Sequence, residues 1–114
     1  MNEEMKKAVD TLIEMIKVDY EAFGTRDGKQ ELSGYMAEQI EKFYDNIEVR
    51  TGQKYIKIIK ERGVWGFIVN TNDDKKFKYG DILKAAGYNA PARNKARGNI
   101  FDAYEVRWTG PLYL

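Results

Sequence analysis

The spacing of apolar residues changes once along this chain, near residue 50, and that change limits what the chain can fold into. Before it, Met5, Val9, Leu12, Ile13, Ile16, Tyr20 and Phe23 recur at intervals of three and four, the stripe of an amphipathic helix. After it, Lys54-Tyr-Ile-Lys-Ile-Ile-Lys60 and Val64-Trp-Gly-Phe-Ile-Val69 are rich in β-branched and aromatic residues, with Glu61-Arg-Gly63 as the turn between them. Helices first and strands afterwards predict an α+β fold, with antiparallel rather than crossover connections. A chain of 114 residues has room for one core, so a single domain over 1–114 is expected.

Local signals set the boundaries. Asn2 is a plausible N-cap, and Glu3 and Glu4 fall in the first turn, where the helix dipole favours anions. Gly24 is a natural stop, and residues 24–29 read as a polar loop. A second helix would bury Leu32, Met36, Ile40, Phe43 or Tyr44, and Ile47, with the helix-weakening Gly34 near its start. Beyond the strand pair, residues 70–76 read as a solvated loop and 77–79 as a short strand. Asp81 would cap a short extra helix over 82–86 that Gly87 ends. Residues 88–99 look irregular, 105–109 form a last strand, and Gly110-Pro111 bends the tail. The expectation is a helical hairpin (1–47) packed on a small, mainly antiparallel sheet with a short extra helix (48–114).

What is missing narrows the chemistry. The chain has no Cys and no His, which removes thiol catalysis, disulfides, zinc fingers and the commonest general base. Ser33 is the only serine and sits in a helical pattern, and no glycine-rich phosphate loop occurs; Gly24-Thr-Arg-Asp-Gly28-Lys29 has the wrong spacing. Asn70, Asn72, Asp74 and Asp81 match positions 1, 3, 5 and 12 of a calcium loop. Lys75 replaces the required glycine, and Lys76 and Lys78 add repulsion, so that reading fails and Asp73-Asp74 predicts a turn. No catalytic residue, metal or cofactor is expected. Apolar runs are too short for a transmembrane helix and no secretory leader is visible, which points to a soluble, cytoplasmic protein.

Val64-Trp-Gly-Phe67, Gly80-Asp-Ile-Leu-Lys-Ala-Ala-Gly87, Ala90-Pro-Ala92, Ala96-Arg-Gly-Asn-Ile100 and Trp108-Thr-Gly-Pro111 form an ordered cassette. It resembles small uncharacterised proteins encoded by tailed bacteriophages, across the second half of the chain. The resemblance implies phage origin, an accessory role and residence in the host cytoplasm. It transfers no active site.

Charge is the remaining signal. Residues 1–47 carry 6 Lys/Arg against 11 Asp/Glu, whereas 48–114 carry 13 against 7. Between 75 and 97, Lys75, Lys76, Lys78, Lys84, Arg93, Lys95 and Arg97 are opposed only by Asp81. Arg93, Lys95 and Arg97 alternate, which in an extended loop projects them to one side, flanked by Tyr88 and by Asn89, Asn94 and Asn99. Cations for phosphates, a ring for stacking and amides for base edges suggest binding of nucleic acid or a nucleotide. The alternative is a solvated loop whose cations pair with acids of the same chain. Trp65, Phe67 and Trp108 could form a stacking platform, with Trp65 and Phe67 placed by strand alternation on one face; the favoured reading is core against the two helices, whose apolar stripes need a partner. Gly66 between Trp65 and Phe67 would admit a ligand or another backbone. Two functions follow: a non-catalytic nucleic-acid or phosphate binder, or an inhibitor of a host (anti-defence) factor that works through the acidic helices as a decoy surface or through the basic loop as a lock.

Overall fold

A computed structural model of the chain describes residues 2–24, 34–60, 63–102, 104 and 106–111. Helix α1 (Glu3–Gly24) starts where expected, with Asn2 Oδ1 accepting the Met5 N–H at 2.7 Å. Its stripe is buried at Met5, Val9, Leu12 and Ile16, but Phe23 at the end of the stripe is 63% exposed. Helix α2 (Gly34–Asp45) buries Ile40 and Phe43. The Tyr20 ring stacks on Phe43 at 4.0 Å and Tyr44 Oη donates to Glu21, which joins the two helices as a hairpin. The expectations for Leu32, for the facing of Met36, and for residues 25–29, 61–62, 105 and 112–114 lie outside what is described.

Five strands follow in a meander: β1 (Glu48–Thr51), β2 (Tyr55–Lys60), β3 (Gly63–Val69), β4 (Ile82–Gly87) and β5 (Ala90–Pro91), each antiparallel to the next. A separate ribbon pairs β6 (Val106–Arg107) with β7 (Gly110–Pro111), so the last strand is shorter than expected. The α+β class stands. Among the described residues no helix is long and apolar enough to cross a membrane.

Three local expectations are corrected. Residues 82–86 belong to a strand, not a helix: Ile68 pairs with Ile82, Phe67 with Leu83 and Gly66 with Lys84. Ile82 and Leu83 are both buried, one in the helix-side core and the other in a second cluster across the sheet. A strand buried on both faces can satisfy that demand, and pairing overrides the helical propensity of Leu-Lys-Ala-Ala. Asp81 caps a turn instead, accepting the Lys78 N–H at 2.9 Å and the Asn99 amide at 3.0 Å. Residues 77–79 form no strand; Phe77 turns inward to fill the second cluster.

The third correction concerns Trp65. The β2–β3 register shifts between Ile58, opposite Gly66, and Ile59, opposite Val64, leaving Trp65 as a bulged extra residue. The bulge turns Trp65 to the helix side, among Ile56, Ile58, Ile68 and Ile82, while Phe67 packs across the sheet with Val69, Phe77 and Leu83. Neither ring is a platform; both are buried, and the Trp65 indole donates to the Arg107 carbonyl at 2.8 Å. Gly66 admits another backbone, since a Cβ there would lie 2.8 Å from the Leu83 carbonyl oxygen and 3.2 Å from Pro111.

Candidate nucleic-acid interface

Past β4 the chain folds back over the face of the sheet that the helices leave uncovered. Asn89, beyond the end of β4, accepts from Lys57 Nζ on β2 at 3.0 Å, and Arg93 donates to the Tyr55 hydroxyl, also on β2. Tyr55 and Lys57 are two residues apart on one strand and share that face. Their contacts bring β2, the β4–β5 turn and the loop after β3 onto one surface.

That loop is shaped by Asp74. Its Oδ1 accepts the N–H groups of Lys76 at 2.8 Å and Phe77 at 3.0 Å, the side-chain-to-backbone turn expected of Asp at this position. Both of its oxygens also receive the Arg93 guanidinium, at 2.9 and 3.0 Å. This fork, with the two backbone N–H groups, holds the Asp74 carboxyl well below the usual carboxylate range. Lys76 Nζ donates to the Arg93 carbonyl, and the Arg93 guanidinium lies over Phe77. Next to this lock is an open cleft of about 490 Å³, with Lys54, Lys75 and Arg93 on its walls beside Gln53, Thr71 and Asp73.

Further along the same face, Lys57 Nζ lies 3.5 Å from the centre of the Tyr88 ring. Tyr88 is 51% exposed, the sequence-named aromatic that does reach solvent here. The result is a strip of cations, Lys75, Lys54, Lys76, Arg93 and Lys57, ending at an exposed ring. Such a strip can hold phosphates by charge and a planar group by stacking.

The sequence-named residues divide on this geometry. Lys75, Lys76, Tyr88 and Arg93 come together, although Arg93 is committed to Asp74. Lys84 does not join them, because alternation along β4 puts it on the side of Ile82, away from Leu83 and Ala85. Lys78 and Lys95 are exposed. Arg97 is corrected outright: it is 3% exposed. Its N–H bonds to the Ile82 carbonyl while the Ile82 N–H bonds to the Gly98 carbonyl, so this stretch runs bound along β4 instead of projecting alternate side chains. Lys54 and Lys57 were missed. For Lys57 the signal was present in the alternation of Tyr55 and Lys57 with the buried Ile56 and Ile58, which places it on the other face; Lys54 precedes the strand, and alternation does not place it.

The acidic helices are partly used internally. Asp19 on α1 accepts the Trp108 N–H at 2.8 Å and pairs with Arg107 at 3.5 Å. An open groove of about 430 Å³ runs along the outer side of α1, between Met15, Val18, Ala22 and Val106, with Glu14 and Asp19 at its rim. Neither the curated proteins nor the solved structures contain a match to this chain. A family model does match, over residues 1–112, and the chain belongs to that family, a family of unknown function designated DUF7717.

Proposed function

We propose that this chain is a small, non-catalytic accessory protein that binds nucleic acid by its phosphates, through the strip running from Lys75 to Tyr88. The observation that carries this reading is the convergence of cations from three separate segments on one face: Lys54 and Lys57 around β2, Lys75 and Lys76 from the loop after β3, and Arg93 after β5. An exposed ring stands among them at Tyr88. A phage origin and a cytoplasmic site of action belong to the same proposal and rest on the resemblance of the second half to phage proteins.

The test is binding of a labelled oligonucleotide at low salt by the full chain. Lys57→Glu combined with Lys75→Glu should abolish binding; Lys75 is exposed and Lys57 half-buried, so circular dichroism checks that the fold of the double variant is kept. Lys6→Glu with Lys7→Glu on α1 is the matched control and should leave binding intact.

The second reading is an inhibitor that docks a basic, apolar segment of a host protein along α1. The groove beside Val18, which is 63% exposed between Glu14 and Asp19, is the observation that favours it. Absence of oligonucleotide binding at low salt would move the function to this surface.

A further inference from the structure

Strand β4 ends in three small residues, Ala85, Ala86 and Gly87. Together with Gly63 and Val64 at the start of β3 they leave an open cleft of about 440 Å³, a volume typical of ligand sites. Its walls are different in kind. On one side is the Tyr88 ring, half exposed, with Lys57 already over one of its faces. On the other is Lys60, half-buried and held by the carbonyls of Trp108 and Thr109 at 3.4 and 3.3 Å. Burial pushes the Lys60 ammonium below its usual pKa.

We propose that this cleft takes an unpaired base, so that the protein binds single-stranded nucleic acid in preference to duplex. The inference rests on the phosphate-binding reading above and adds where the base would sit beside the exposed ring that ends the strip. A base inside a duplex has both faces covered by its neighbours and cannot stack on a protein ring; an unpaired base can. Tyr88 supplies that ring, and Lys57 beside it is placed to meet the adjoining phosphate. The small apolar floor of Val64, Ala85 and Ala86 carries no side-chain donor or acceptor. Stacking on Tyr88 over such a floor accepts any base, so sequence preference is weak.

Two substitutions probe the cleft from opposite directions. Tyr88→Ala removes the wall. Gly87→Leu fills the space: a Cβ at Gly87 meets nothing within 4 Å, and its backbone is not in the left-handed region, so the change introduces no strain. Fluorescence anisotropy at low salt would compare a 12-nucleotide single-stranded DNA, an RNA of the same length and the matching DNA duplex, with circular dichroism confirming the fold of each variant. The wild type should bind at least one single strand about tenfold or more tightly than the duplex, and each variant should lose about that factor, the usual worth of one stacked base. Equal affinity for single strands and duplex, or single-strand affinity unchanged in both variants, overturns the base cleft and leaves phosphate binding standing. Failure of the wild type to bind any of the three overturns both.

Discussion

Replacing Gly80 by alanine tests the turn that launches β4. Gly80 has φ of 88°, in the left-handed region where a side chain costs about 1–2 kcal/mol. A Cβ there would also lie 2.7 Å from the Phe101 ring and 3.2 Å from Asn99 Oδ1. Asn99 cannot give way easily, because its amide bonds to the Tyr79 carbonyl at 2.9 Å and to Asp81 at 3.0 Å. Phe101 can swing outward, at the loss of its stack on Tyr79, worth about 0.5–1.5 kcal/mol. Together these give a destabilisation of about 1.5–3.5 kcal/mol. For a chain of this length the unfolding entropy converts that to a fall in Tm of about 6–15 °C. Differential scanning calorimetry of Gly80→Ala against Gly87→Ala makes the comparison, since the second site is open and should shift little. If the two variants melt within a degree of one another, the reasoning about this turn is refuted.

The core, the acid pair and the buried arginine each give a further expectation. Leu12→Ala, Ile16→Ala and Ile40→Ala should each cost about 2–5 kcal/mol in denaturant unfolding, since all three side chains are buried; losses below 0.5 kcal/mol would mean that the helices do not pack on the sheet. Because the Asp74 pKa is lowered by folding, its contribution is complete above the unfolded value of about 4 and is lost as pH falls into the acid range. The wild-type Tm should therefore fall on acidification, and Asp74→Asn should flatten that part of the profile. Arg97→Glu should destabilise by more than about 2 kcal/mol, whereas Lys95→Glu, on the exposed side of the same segment, should not.

Much of the architecture was legible in the residues, and the failures share a cause. The α1 stripe, its Asn2 cap and the β2–β3 pair are local features, so spacing and capping chemistry reveal them. The identity of 82–87 is not local: Ile-Leu-Lys-Ala-Ala-Gly suits a helix until its edges meet β3 and both faces find apolar partners. The facing of Trp65 depends on a one-residue bulge, which reverses alternation and leaves no mark in composition. Strand β1 offers a single inward residue, Val49, in four positions, too little for a period-two pattern to show. The site follows the same rule. The run of cations was visible, but their grouping depended on which strand faced outward, so Lys57 was overlooked and Lys84 and Arg97 were placed on the wrong side.

The most direct test of phosphate binding by the cation strip is the salt dependence of oligonucleotide affinity. If Lys54, Lys57, Lys75 and Lys76 each neutralise one phosphate of a single strand, log K against log salt should fall with a slope of about −2 to −3. Lys57→Ala with Lys75→Ala, titrated over the same salt range, should flatten that slope by about half, since two of the four neutralised phosphates are lost. No binding at low salt, or a slope that these two substitutions leave unchanged, would contradict the assignment of this face as the phosphate-binding surface.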